Sequence, residues 1–128
     1  MASELRVNTL KDASGNNSVA TSVVFNGTCK AWANFDGTAG SLSARDSTNI
    51  GSFTDVGTGI YQMNFTSNMN NDDYSGVVSG ASDSYENSSL RNEANCTTST
   101  MGFFMFLNAS DAPSDNTIVS GQIQGDLA

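Results

Sequence analysis

Adjacent carboxylates at Asp72 and Asp73 are the nearest thing in this chain to an acid–base pair. Paired-carboxylate hydrolysis needs two acids that face one substrate, whereas consecutive side chains of an extended chain point to opposite sides. The surrounding run of Asn68, Asn70, Asn71, Asp72 and Asp73 is rich in the oxygen ligands that Ca²⁺ takes. It lacks both the spacing of an EF-hand loop and its distal Glu, and reads as an Asn/Asp turn. The sequence has no His. That removes the commonest general base and a common zinc ligand, and makes a Ser-His-Asp triad impossible. Cys29 and Cys96 are too few for a tetrahedral zinc site. They read either as unpaired thiols or as one bridge closing a long loop. Gly57-Thr58-Gly59 lacks the third glycine and the helix of a dinucleotide fingerprint, and no phosphate-cradling GxxxxGK[ST] pattern is present. Asn-x-Ser/Thr sequons at Asn16, Asn26, Asn64, Asn87, Asn95 and Asn108 follow from the abundance of all three residue types. The expectation is a protein without catalytic, metal or cofactor residues, working by contact.

Bulk properties narrow the contacts. The 128 residues suffice for one core. Charged residues are only 14% and the formal net charge is −8, so nucleic-acid phosphates are repelled. No basic cluster would draw the chain to an anionic membrane. The longest apolar run, Phe103 to Leu107, falls far short of the roughly 20 residues that span a bilayer. Residues Met1 to Gly15 are polar and mixed, without the apolar stretch of a signal peptide, so the chain is expected to be made and kept in a cytoplasm.

The elements that would position contact residues read as strands. Leu5 to Leu10 alternates apolar and polar residues and ends in the turn-forming run Asp12–Asn17. This predicts an extended N-terminal arm over residues 1–18 ahead of a body over 19–128. From Val23 to Phe35 one parity holds Val23, Phe25, Cys29, Ala31, Ala33 and Phe35, the expected core face. Trp32 then falls on the polar outer face, either half-buried under a loop or anchoring a subunit interface. Asp36-Gly37 signals a tight hairpin. Further strands are expected at 42–45, 50–55, 60–66, 74–81, 98–107 and 117–124, with 83–95 a long irregular stretch and no helix. In 60–66, Tyr61, Met63 and Phe65 share one face. The fold predicted is an all-β, single-domain, antiparallel β-sandwich, jelly-roll-like. Thr98–Leu107 is apolar on both parities, so Phe104 and Phe106 need cover from a partner subunit or from the 83–95 loop. Trp32, Phe104 and Phe106 are the candidate oligomer interface, with a homotrimer expected. Asn70, Asp72, Asp73, Tyr74 and Tyr85 are the candidate surface-contact residues.

The run Lys30-Ala31-Trp32-Ala33-Asn34-Phe35-Asp36-Gly37-Thr38 resembles the KAWxNFxGT signature of small tail-fibre and virion structural proteins of bacteriophages from marine and freshwater bacteria. The opening Leu5 to Asn17, Arg45-Asp46-Ser47, Ile50 to Gly59, Tyr61 to Thr66 and the final Gly125-Asp126-Leu127-Ala128 are similar to that family and follow in its order. Residues 76–120 match loosely, and Gly121-Gln122-Ile123-Gln124 is more polar than the family's pattern. The resemblance implies a structural role in the virion, assembly in the host cytoplasm, oligomerisation, and contact with other tail or capsid proteins. It also leaves room for contact with a host-surface glycan or protein. It supplies no catalytic residues. A tail-fibre or host-recognition component is the first expectation. A capsid decoration or head-fibre protein gripping the shell by its arm is the second, favoured by the brevity of the chain.

A metal-free reading of Asn68–Asp73 has a direct check. Thermal unfolding with and without a strong chelator should give the same melting temperature; a fall of several degrees that Ca²⁺ restores and Na⁺ does not would make the turn an ion site.

Overall fold

The computed structural model describes residues 3, 5–82, 86–91, 95–107 and 110–128. Among the described residues, ten strands and one short helix follow in chain order: β1 (Thr9–Lys11), β2 (Ser18–Ala20), α1 (Thr21–Gly27), β3 (Cys29–Phe35), β4 (Ala44–Thr48), β5 (Ile50–Gly57), β6 (Ile60–Phe65), β7 (Ser75–Ala81), β8 (Glu86–Leu90), β9 (Thr100–Leu107) and β10 (Ile118–Gln124). Strands β4-β3-β10-β7 form a front sheet and β5-β6-β9-β8 a back sheet, each antiparallel throughout. The two pack face to face as a β-sandwich, as the spacing of the strands predicts.

Alternation places the core. Ala31, Ala33 and Phe35 of β3, Tyr61, Met63 and Phe65 of β6, Met101, Phe103 and Met105 of β9, and Val119 and Ile123 of β10 are all buried. At the centre, the Phe35 ring lies 5.5 Å from that of Tyr61 and 4.5 Å from that of Phe53. Phe103 completes the group at 5.9 Å from Tyr61. Beside these aromatics, long back-sheet methionines fill the space over front-sheet glycines. A Cβ on Gly76 would come within 2.7 Å of the Met101 sulfur, and one on Gly121 within 2.6 Å of the Met63 methyl. Flexible thioethers suit such gaps.

Chain crossings between the sheets are tight. Asn49 alone separates β4 from β5, in a left-handed conformation (φ 57) that Asn adopts more readily than most residues. Its amide donates to Ser67 O at 3.0 Å, and its carbonyl oxygen accepts from Ser67 N at 2.7 Å. Within the back sheet, Gly59 turns β5 into β6 at φ 65, and a side chain there would collide with the Ser114 backbone, 2.7 Å from a Cβ. On the far side, the Ser88 hydroxyl of β8 donates to Val78 O of β7 at 2.7 Å, joining the two sheets.

Four expectations need correction. Val23 and Phe25 are not in the core: residues 21–27 form α1, which buries none of its residues, and the two side chains are 60% and 50% exposed. Cys29 is exposed as well, so the inward parity begins at Ala31. Asp36-Gly37 is not a two-residue hairpin; β3 reaches β4 through residues 36–43, opened by an Asp36 carboxylate that accepts from Thr38 N at 2.9 Å. The 83–95 stretch contains strand β8, paired along β9 from Glu86↔Leu107 to Leu90↔Phe103. Ahead of β3, β1 and β2 pair as a small hairpin through Thr9↔Ala20, Leu10↔Val19 and Lys11↔Ser18, so the break expected after residue 18 passes through β2.

Inner and outer positions should therefore differ sharply in cost. Phe35→Ala is expected to lose about 3–5 kcal/mol in chemical denaturation, the range for emptying a buried aromatic site. Val23→Ala should stay within about 0.5 kcal/mol.

Candidate functional site

Trp32 lies on the outer face of the front sheet, half-buried. The register sets it in a grid: Trp32 pairs with Gln122 and Gln122 with Val77, while in the next row Asn34 pairs with Ser120 and Ser120 with Ser79. Neighbouring strands bring these side chains together, and their common parity turns them outward. They line an open depression of about 350 Å³ whose floor includes Ala33 and Gly121. The Asn34 amide donates to the Ser120 hydroxyl at 2.7 Å, fixing two of the polar groups. Val77 is 58% exposed and forms an apolar wall. At one end the ammonium of Lys30 donates to Phe25 O and to Thr28 Oγ1 and sits 3.7 Å from the centre of the Phe25 ring. The Gln124 amide there donates to Gly27 O at 3.3 Å, tying α1 to the sheet. At the other end the Arg45 guanidinium donates to Thr117 O at 2.7 Å and pairs with Asp36 at 3.4 Å.

Phe104 and Phe106 sit on the opposite side of the molecule, on the outer face of the back sheet, and both are half-buried. The structure therefore does not bring them together with Trp32. Much of their cover comes from the same chain. The Arg91 guanidinium lies 5.3 Å from the centre of the Phe104 ring, and the Phe106 backbone pairs with Pro113. Beside Phe104 along β9, a Cβ on Gly102 would meet Asn95 O at 2.9 Å, so Asn95 lies against this strand.

The loop candidates divide. Asn70, Asp72 and Asp73 are exposed, but the loop is pinned from within: Met69 is buried, Asn70 N donates to Asp126 O at 2.7 Å and Ala128 N to Asn68 O at 3.0 Å. Tyr74 turns inward, its ring 6.0 Å from that of Phe65 and its hydroxyl donating to Thr100 O at 2.7 Å. Tyr85 lies outside the described residues. Among the described residues no group of three or more His, Cys, Asp or Glu side chains could hold a metal ion. Cys29 and Cys96 are both free thiols.

One polar centre escaped the sequence reading. The Tyr61 hydroxyl, inside the core, donates to Asp115 Oδ1 at 2.6 Å and lies 3.1 Å from Gly37 O. The same carboxylate oxygen accepts from Gly59 N at 2.6 Å. Next to it the Asn116 side chain is fully buried, while Asn116 O accepts from Gly37 N at 2.8 Å. The only sequence signal for this centre was a tyrosine on a buried parity, whose hydroxyl must find a partner. The phenol is a poor nucleophile here, because burial and then the Asp115 carboxylate push its pKa far above that of free tyrosine. The centre works as a tie.

No protein-family model matches the chain, and no curated protein or solved structure is significantly similar to it. Geometry and residue chemistry carry the functional reading.

The two buried phenols make a pH prediction. Burial raises the pKa of Tyr61 and of Tyr74, in Tyr74 with help from the nearby Cys96. Free tyrosine ionises near pH ~10. Above that pH the unfolded chain releases protons that the folded chain keeps, so this contribution to stability is whole below pH ~10 and falls as pH climbs. In absorbance titrations the wild type and a Tyr61→Phe/Tyr74→Phe double variant should show the same phenolate rise near pH ~10 while folded. A larger rise in the wild type would show that these phenols ionise in the native state.

Proposed function

We propose that the chain is a non-enzymatic structural component of a bacteriophage virion, a tail-fibre or host-recognition module that assembles as a homotrimer and displays its sandwich. The observation that carries this reading is where the apolar surface lies. The sandwich closes its core and leaves Val56, Val77 and Ile118 exposed singly on separate strands, whereas the short segment before β3 gathers Leu5, Val7, Leu10, Val23 and Phe25, each 40–80% exposed. A seven-residue helix with no buried residue has little stability of its own, since isolated helices need about 12–15 residues even to be marginal. A partner that covers Val23, Val24 and Phe25 supplies what the chain does not. The resemblance of Lys30 to Thr38 to phage tail-fibre and virion proteins supports the same reading, as does the lack of any His in the chain.

The geometry also bears on which surface makes the trimer. Trp32 and the Phe104/Phe106 pair face opposite ways, and a head-to-tail contact between opposite faces repeats into an open array unless the rotation closes it. A segment at one end of the sandwich can meet its copies around a threefold axis without that difficulty. The N-terminal segment is thus the assembly surface, and both sandwich faces stay free for other contacts.

Sedimentation at micromolar concentration should show a species near three times 13.4 kDa. A Val23→Ser/Phe25→Ser double variant should run as a monomer whose melting temperature, unlike that of the wild type, does not change with protein concentration. A wild-type monomer across that range refutes the trimer. A reconstructed particle map tests location: a few copies at the tail support the reading, and a lattice of copies on the capsid makes the chain a decoration protein instead.

A further inference from the structure

The geometry points to a saccharide site on the outer face of the front sheet, with the Trp32 ring as a platform for the apolar face of a neutral sugar and Gln122, Ser79 and Ser120 as hydrogen-bonding partners of its hydroxyls. The inference rests on the reading of the sandwich as the displayed part of the protein and gives that display a ligand class.

Charge comes first. The chain carries a formal charge of −8, yet every residue lining the depression around Trp32, Asn34, Val77, Ser79 and Gln122 is uncharged. The cations at its two ends are already engaged, Lys30 by Phe25 and Thr28, and Arg45 by Thr117 and Asp36. Nothing there compensates a phosphate or a sulfate, and the exposed Asp46 carboxylate opposite Asn34 repels them further. One carboxylate is far short of the oxygen set a metal ion takes, so the ligand that fits is neutral.

Polarity comes next. A purely greasy ligand would leave amides and hydroxyls without partners, and these cost free energy when desolvated. Among the described residues no group hydrogen-bonds the Trp32 indole N–H, the Gln122 amide or the Ser79 hydroxyl. Ser120 accepts from Asn34 at 2.7 Å, which leaves its own proton to donate. A sugar ring presents what this grid lacks: C–H groups for an aromatic face and a rim of hydroxyls that both donate and accept. The Asn34–Ser120 bond and the β ladder beneath hold the grid in place before any ligand arrives, which limits the ordering cost of binding. A volume of about 350 Å³ lies at the lower end of the range for small-ligand sites, roughly 300–1,000 Å³, and suits one or two sugar units of a longer chain.

Trp32 is the only tryptophan, so its fluorescence reports on the site directly. The full chain is titrated with cellotriose, maltotriose and fully N-acetylated chitotriose, each up to about 10 mM, well above the millimolar Kd expected of a small open site. At least one should shift the Trp32 emission and the backbone amide NMR signals of Trp32, Val77 and Gln122, with an affinity that does not change with salt. Trp32→Ala should abolish the NMR shifts while leaving the melting temperature close to wild type. Gln122→Ala should weaken binding about tenfold, as loss of one good hydrogen bond does. Phe104→Ala, on the opposite face, should bind as the wild type does. The site is refuted if none of the three sugars shifts either signal, if the shifts survive Trp32→Ala, or if Trp32→Ala instead dissociates the oligomer. Because binding is measured on the isolated protein, a negative result leaves the location of the chain in a particle untouched. Absence of the chain from particles, in turn, would leave a measured sugar affinity standing.

Discussion

The Tyr61 side chain is held at both ends. Its ring lies between Phe35 of the front sheet and Phe103 of its own back sheet, 5.5 Å and 5.9 Å from their centres. Its hydroxyl reaches through the core to Asp115 and Gly37 O. Three connections therefore depend on one residue: the loop after β3, the turn at Gly59 and the approach to β10. The buried hydroxyl is tolerated because its partners are fixed by backbone bonds of their own, Gly59 N to Asp115 at 2.6 Å and Gly37 N to Asn116 O at 2.8 Å. A phenol is large enough to add to the aromatic packing and polar enough to locate the loops.

Away from that tie, the sheets are fitted by unequal partners. Methionines at 63, 101 and 105 reach across from the back sheet, and glycines at 76, 80 and 121 receive them in the front sheet. Inward positions of β7 and β10 thus alternate between glycines that receive a methionine and the side chains of Val78, Val119 and Ile123. The outward positions of those strands carry Val77, Ser79, Ser120 and Gln122, which are placed by the ladder and by Asn34. Strand β3 serves both sides: Ala31, Ala33 and Phe35 fill the core, and Trp32 and Asn34 face out.

What the sequence revealed follows the strength of the alternation. In β6 the contrast of Tyr61, Met63 and Phe65 with Gln62 and Asn64 leaves one register, and the structure adopts it. The Val23–Phe25 segment misled because β-branched and aromatic residues in the right parity imitate a strand entering β3. Nothing local marks the turn at Thr28, where the Thr28 N–H closes the helix onto Val24 O at 3.1 Å. Strand β8 was hidden for the opposite reason: Glu-Asn-Ser-Ser-Leu has almost no hydrophobic contrast, and its place comes from the backbone ladder to β9. Trp32 was legible as an outward residue but not as part of a grid. Its neighbours Val77 and Gln122 lie far along the chain and meet it only through strand order. The Phe104 contact was ambiguous on the same ground, since its approach to Arg91 is set by the pairing of β8 with β9 and not by local sequence.

Strand β3 is interior to its sheet, bonded to β10 on one side and β4 on the other. It is also the strand on which the N-terminal segment enters the sandwich, at Cys29. A pull on that segment runs along β3, perpendicular to the hydrogen bonds of both ladders, so the bonds share the load at once instead of opening one after another. A load applied between Trp32 and the N-terminal segment would pass through a few residues of this one strand, leaving the aromatic core and the back sheet outside the path of tension.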